Sequence, residues 1–493
     1  MKTVSMVMCS ALLLAGSNGC SLAPKYNVPA APPSSAFKET LAPGEAGTWK
    51  TGVPSEDAVR GEWWKVFKDS QLDAFENQAL AANQDLAAAA ARVQQARAIE
   101  GVAGAARFPN VSAGFGPSRQ QNAPGSFGVP GNAPRPDAQT VWRAQANISY
   151  EADLFGRVAS TVRAAHADTQ QSEALFRSVQ LALQADVAQN YFSLRELDAE
   201  QAVYRRAVDL RTEALTFIQH RAEAGEVSDL ELAQAKAELA SATSDAMTVA
   251  RQRAASEHAL AVLLGKAPSE FTLQPMPLEP VEVAIPPGMP SALLERRPDI
   301  AAAERAMAAE NARIGVARAA YFPSIVLTGT GGYESSAFSD LFKWSSRSFL
   351  LGPLVGTAAT LPIFDGGVRK GNLASAKARY EESVARYREQ VLVAFQEVED
   401  NLVNLRILQD QTRVQGEEVA ASTRASELSK TQYEEGSVAY LNVIDTERVV
   451  LQARLTSVRL RGVQATSTVN LIRALGGGWG QPASPAQDGV KIR

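Results

Sequence analysis

The side chains with most chemistry to offer are few: three histidines and two cysteines in 493 residues. His166, His220 and His258 lie far apart in sequence, and none has a partner at metal-ligand spacing. No phosphate loop, nucleophile elbow or zinc spacing is present. Enzyme chemistry has little to stand on, and no cofactor or metal is expected. Two positions stand out instead. Cys20 ends the stretch "MKTVSMVMCSALLLAGSNGC", and Asp445 sits among aliphatic side chains in "YEEGSVAYLNVIDTE", residues 433–447.

The first stretch carries Lys2, an apolar run ending "ALLLAG" and small residues before the cysteine. That run is too short to span a bilayer and reads as a secretory signal over 1–19. Cleavage before Cys20 removes Cys9 and leaves one thiol at the first mature position, which excludes a disulfide fold. The site resembles that of bacterial lipoproteins, where the thiol takes a diacylglyceryl group, with Gly19 and Ser17 before it but no aliphatic residue three positions earlier. Ser21 resembles the second mature residue of lipoproteins sorted to the outer membrane.

An apolar fraction of 45% and a charged fraction of 21% are those of an ordinary folded chain. The formal charge of −4 lacks the basic surplus of a nucleic-acid binder. The elements that must position Asp445 emerge when the chain is compared with itself. Gly225 and Gly436 lie 211 residues apart, as do Val227 and Val438, Leu230 and Leu441, Leu194-Arg195 and Leu405-Arg406, and Leu264-Gly265 and Leu475-Gly476. Asp85 and Asp299 lie 214 apart, as do Phe108-Pro109 and Phe322-Pro323. Such self-similarity marks a duplicated unit of about two hundred residues.

Each unit opens with an Ala-, Arg- and Glu-rich helix of about 30 residues that ends at "RFP" or "YFP". Strand-like alternation follows. Val111, Ala113 and Phe115 share a face, as do Ala144, Ala146, Ile148 and Tyr150, while Ile325, Leu327 and Tyr333 oppose Val326, Thr328 and Thr330. Alternation over about ten residues with aromatic ends suits a membrane barrel strand, and a soluble sandwich strand reads alike. Arg157 to Ala224 then contains neither glycine nor proline, enough for a helix of about 100 Å. Gly225 stops it as a left-handed cap, and a second glycine-free run carries the chain back. Unit two repeats this from Asn372, with Gly416 as an interruption and Gly436 at the turn.

The expected organisation is a signal peptide (1–19), a lipid-anchored extended segment (20–69), repeat 1 (70–265), a linker (266–290), repeat 2 (291–476) and a tail (477–493). Repeat 1 holds a β-hairpin at about 109–152 and a helical hairpin at 156–264. Repeat 2 holds a β-hairpin at about 323–363 and a helical hairpin at 366–475. Four strands cannot close a membrane barrel, whose smallest single-chain form has eight, and an open edge in lipid is prohibitively costly. Several copies pooling their strands would solve the problem. The competing reading is a soluble coiled-coil lipoprotein with short β-decorations.

The duplication, the "FP" corners, "YEADLFGRV" at 150–158 and "LPIFDGGVRKGNL" at 361–373 resemble the TolC-type outer membrane efflux proteins. "CSLAPKYNVPAAP" is similar to the start of their lipoprotein branch, the OprM-like and NodT-like proteins. The resemblance covers Cys20 to about Gly476. It implies an α+β membrane protein: a homotrimer in which four strands per protomer form a shared twelve-stranded β-barrel, continued by a long α-helical tunnel. It also implies an exit duct in the outer membrane of a Gram-negative bacterium, in contact with its lipid. A periplasmic adaptor and an inner-membrane efflux transporter of the RND type would feed the duct, with no enzyme activity. Under the same resemblance Leu441 and Asp445 fall on positions of the periplasmic gate, and Asn442 stands where TolC itself has a second aspartate. Tyr433 falls on a position that ties the closed tip by hydrogen bonding. A ring of Asp445 carboxylates would favour cations. Gly225, Val227, Gly436 and Val438 at the two turns are the candidates for adaptor docking. The alternative from another class is a periplasmic adaptor or structural coiled-coil lipoprotein. Adaptors commonly carry one helical hairpin, whereas this chain has two.

Overall fold

The computed structural model describes residues 22–29, 38, 61–121, 123–124, 131, 134–135, 137–279, 296–352 and 358–477. The signal segment, Cys20, residues 280–290 of the linker and the tail beyond Gly477 lie outside the described residues. Helices α1 (Ser70–Ala82) and α2 (Gln84–Ala105) lead to strands β1 (Asn110–Gln120) and β2 (Gln139–Ala152), then to helices α3 (Arg157–Glu223) and α4 (Asp229–Leu263). The second half runs through helix α5 (Pro298–Ala319) and strands β3 (Ser324–Ser335), β4 (Arg347–Leu351) and β5 (Ala359–Thr360). It closes with helices α6 (Val368–Glu434) and α7 (Tyr440–Ala474). Two compact units divide these elements. One gathers the described residues within Met1–Pro29, Val93–Ser172 and Ala303–Tyr387, the other those within Ala30–Arg92, Glu173–Ala302 and Arg388–Arg493.

The first unit is built on an antiparallel sheet in the order β1-β2-β3-β4. Ile325 pairs with both Ala152 and Ala359, so β5 lies on the β4 edge of β3 and the sheet is four strands wide. Of the fourth strand expected from the sequence, the described residues show two pieces, β4 and β5. Pairing of Val111 with Ile148, Phe115 with Ala144, Tyr150 with Leu327 and Gly329 with Leu351 puts the apolar residues on one face. That face is bare: Val111 is 64% exposed, Phe349 83% and Leu351 83%. The other face is a polar ladder. Arg143 pairs with Glu334 at 3.2 Å, Gln145 donates to Ser348 at 3.0 Å and Thr330 donates to Asn147 at 2.9 Å.

All four helix connections leave from one end of the sheet. There Asp153 accepts from the amides of Val158 and Ala159 (3.0 and 2.7 Å) at the start of α3. Asp365 accepts from those of Gly367 and Arg369 (3.0 and 3.2 Å) at the start of α6. The aspartates of "EADLFGRV" and "FDGGVRK" thus satisfy orphan donors at the two longest helices. At the other end, Trp142 meets Phe338 (centroids 4.9 Å apart) and Tyr333 meets Phe342 (5.7 Å). Residues 22–29 run extended along α5. Arg318 donates to the Leu22 carbonyl at 3.2 Å, Asn311 to that of Pro24 at 3.0 Å, and the Tyr26 hydroxyl meets the Glu304 carboxylate.

The second unit is helical, around a core that includes Trp63, Trp64, Leu72, Tyr191, Leu194, Leu260 and Ile472. Four expectations change here. The first helix of repeat 1 is broken at Asn83, whose side chain accepts from Leu86 N at 3.0 Å and so caps α2. Gly416 interrupts nothing, because α6 runs through it. The early part of the expected linker is tied down: Leu273 N donates to Glu257, Met276 N to Asp198 at 2.9 Å, and Arg195 to the Gln274 carbonyl at 2.8 Å. The segment before α1 is also not simply extended, since Trp63–Phe67 form a short 3-10 turn with both tryptophans buried.

The bare face of the sheet needs either lipid or another sheet, and substitution separates the two. If lipid covers it, Leu327→Lys costs about 2–4 kcal/mol near the bilayer midplane and depletes membrane-integrated, heat-modifiable protein. Thr330→Lys, on the polar face, is then tolerated. Equal tolerance of both would point to an aqueous sheet.

Candidate functional site

The two hairpin turns have one geometry. Gly225 and Gly436 each have φ of 74°. Glu226 N donates back to Arg221 O (2.9 Å) and Gly225 N to Ala222 O (3.0 Å), while Ser437 N donates to Gln432 O (2.8 Å) and Gly436 N to Tyr433 O (3.0 Å). These pairs are the Schellman arrangement, which needs a left-handed residue that glycine adopts without steric cost. Both glycines are exposed.

Beneath the turns, Ile218, Ala235, Tyr440, Val443 and Ile444 form an apolar cluster joined by Leu215, Val227, Leu232 and Tyr433. The tips of α3, α4, α6 and α7 all contribute to it. Val227 and Val438 are half-buried, with Val227 packed on the cluster, so neither is what the turn chiefly displays. Leu230, 66% exposed, takes that place, and only the repeat alignment with Leu441 had singled it out.

Tyr433 lies between the hairpins. Its ring centroid is 5.4 Å from that of Tyr440, and the Arg221 guanidinium is 5.8 Å from it. Arg221 also donates to the Tyr433 hydroxyl at 3.4 Å and pairs with Glu226 at 3.1 Å. Burial raises the Tyr433 hydroxyl above its ordinary value and pushes Tyr440 up to about 12.

Along the start of α7, burial of Tyr440, Val443 and Ile444 turns Leu441, Asn442 and Asp445 outward together. Leu441 is 47% exposed. Asp445 is not alone: Arg448, one turn on, comes within 3.5 Å of it. Arg448 is held mainly by Glu238 of α4, through Nε at 3.1 Å and through Nη2. Glu238 is buried and also pairs with the buried Arg211 of α3 at 3.2 Å, whose Nη1 donates to the Glu238 carbonyl at 3.1 Å. One carboxylate thus joins α3, α4 and α7. Arg221, Glu238, Arg211 and Arg448 were missed by sequence reasoning, because their partners are about two hundred residues away along the chain or on another helix.

The histidines do no such work. His166 pairs with Glu100 at 2.8 Å, and His220 lies 3.8 Å from Glu223 on an exposed helix end. Among the described residues, no group of three or more His, Cys, Asp or Glu side chains could hold a metal ion. No helix among them is long and apolar enough to cross a membrane. Cys20, the lipidation candidate, lies outside the described residues.

Comparison with known proteins agrees with this duplicated layout. The family model described as outer membrane efflux protein matches residues 76–266 and again 289–477. The cation efflux system protein CusC of Escherichia coli O6:H1 is 33% identical over 479 residues, which cover 96% of this chain and 98% of CusC. The toluene efflux pump outer membrane protein TtgF of Pseudomonas putida is 34% identical over 465 residues, 94% of this chain and 95% of TtgF. The crystal structure of the Campylobacter jejuni CmeC outer membrane channel superimposes with a TM-score of 0.82 at 27% identity, covering 93% of this chain and 95% of that one. With the family model matching twice, over most of its length, the chain belongs to the outer membrane efflux protein family.

Proposed function

We propose that the protein is the outer-membrane exit duct of a tripartite efflux system. It works as a homotrimer, anchored through a lipid on Cys20, and passively conducts what an inner-membrane transporter and a periplasmic adaptor deliver. The observation that carries this reading is a four-stranded sheet that, among the described residues, has one apolar face bare and both edges unpaired, in a chain that also carries two glycine-tipped helical hairpins. Three copies supply twelve strands and remove every edge. The strap of residues 22–29 along α5 supports the anchoring, because it fixes the chain beginning two residues after Cys20. Family membership makes a free-standing adaptor or coiled-coil lipoprotein the weaker reading.

The exposed face of Leu441, Asn442 and Asp445 forms the periplasmic gate, Tyr433 ties the closed tip through Arg221, and the turns at Gly225 and Gly436 with Leu230 meet the adaptor. Val227 and Val438 act from beneath these turns. Relatives at 33% and 34% identity are named for cations and for toluene. Channels so alike serve such different cargo most simply if selection rests with the transporter and adaptor.

Native mass spectrometry of the detergent-extracted protein tests the assembly: acylated trimers beginning at Cys20 are expected, and a monomer would leave the barrel unable to close. In planar bilayers, Asp445→Ala should raise conductance and weaken block by divalent or trivalent cations. Unchanged block would move the constriction elsewhere. Glu238→Gln keeps the shape of the tip but leaves Arg211 buried without its counter-charge, a loss on the order of 3 kcal/mol. Hydrogen exchange should then speed up about a hundredfold in the first turns of α7; exchange as slow as in the parent would show that the tip does not depend on this carboxylate.

A further inference from the structure

The polar and apolar faces of the sheet treat arginine differently. Arg143 projects from the polar face and has a protein partner, Glu334. Arg347 does not. The register pairs Arg347 with Tyr333, Phe349 with Gly331 and Leu351 with Gly329, so Arg347 stands on the apolar face, on the same side of β4 as the bare Phe349 and Leu351. Arg119 is the second case. It lies at positions i+2 and i+4 from Pro117 and Phe115 on β1, on the same face, and is exposed. Neither arginine has a carboxylate partner among the described residues.

Arg347 is nonetheless held in place. Its Nε donates to the Trp344 carbonyl at 3.0 Å, and its guanidinium stacks over the Trp344 indole. The two Nη groups have no acceptor among the described residues. Around it lie exposed aromatics, Trp344 at 74%, Phe342 at 66% and Phe338 at 56%. Lys343, close by, is already neutralised by Asp340 at 2.6 Å. This cluster lies at the loop end of the sheet, away from the helix connections, where an aromatic belt meets the headgroup layer of a bilayer.

A guanidinium on a lipid-facing surface is unfavourable unless an anion meets it. Its planar fork fits two oxygens of a phosphate. We infer that Arg347, stacked on Trp344, forms a site on the lipid-facing side of the sheet for a lipid with a phosphomonoester headgroup. The phosphate sits on the Arg347 Nη groups and the acyl chains lie on Phe349 and Leu351; Arg119, on the opposite edge strand, is too far away to share it. A free phosphate would make no use of that apolar surface, which is why a lipid is the occupant. This inference rests on the outer-membrane reading above.

The test uses the purified full-length protein, delipidated in non-ionic detergent and titrated with dipalmitoyl phosphatidic acid or dipalmitoyl phosphatidylcholine under native mass spectrometry. The parent protein should retain at least fivefold more phosphatidic acid than phosphatidylcholine. R347Q should lose that preference, R119Q and R143Q should keep it, and excess inorganic phosphate should not displace the lipid. Equal retention by parent and R347Q overturns the inference, as does displacement by inorganic phosphate, which would mark a simple anion site. Conductance of the same preparations in planar bilayers separates the two levels of the argument. A parent that conducts but shows no lipid preference defeats the lipid site alone, whereas a parent that never inserts defeats the duct as well.

Discussion

An unpaired backbone N–H or C=O has no partner to find in hydrocarbon, and among the described residues β1 on one side and β4 with β5 on the other leave a row of such groups at each edge of the sheet. The rest of the proposed assembly follows from this. The strands alternate in direction and number four across, so the β4 edge of one chain runs antiparallel to the β1 edge of the next. A head-to-tail contact of this kind can repeat until a ring closes, using the same two surfaces each time. The bare Val111, Phe349 and Leu351 and the polar ladder of Arg143, Gln145 and Thr330 then fall on the outer and inner walls of one closed sheet. An odd number of strands per chain would have brought parallel edges together and broken the pattern.

Duplication supplies the other half of the design. Four helix ends, at Gly225, Gly265, Gly436 and Gly476, close with the same pair of backward hydrogen bonds and the same left-handed glycine. The starts of α3 and α6 are both capped by an aspartate. The copies are not equivalent elsewhere: Ser228 caps α4 with its side chain, and Ala439, at the matching place before α7, cannot. Backbone geometry has been kept at the turns, while side chains that face neighbours have diverged.

That division explains what was legible in the sequence. Glycine punctuation, the alternation of Val111, Ala113 and Phe115, and the long run from Arg157 to Ala224 are local signals, and local chemistry decides the elements they mark. Gly416 misled because a glycine inside a helix costs only about 1 kcal/mol relative to alanine, which surrounding helix and packing can offset. Glu76 was not singled out at all. It is fully buried on the face of Leu72 and Ala79, and burial, helped by Asp73, pushes its carboxyl up to about 9. Nothing within α1 itself marks which side meets the core, since that depends on segments folded against it. The proposed gate has the same limit: Asp445 was visible as an isolated acid, whereas its companion Arg448 is explained only by Glu238, 210 residues earlier.

The charges at the tip show why two copies of a hairpin serve better here than one repeated unchanged. In repeat 1, Gln234 and Ala237 stand where repeat 2 has Asp445 and Arg448, and Val449 stands where repeat 1 has Glu238. The acid and the arginine therefore lie on one hairpin and the carboxylate that holds the arginine on the other. Arg448 beside Asp445 would by itself cancel much of the acid's field. Glu238, buried and shared with Arg211, draws Arg448 toward α4, so that Arg448 is divided between two carboxylates instead of being devoted to Asp445. The charge at the proposed constriction thus depends on a contact between the repeats. Any movement that parts α4 from α7 must change that contact and the charge around Asp445 together.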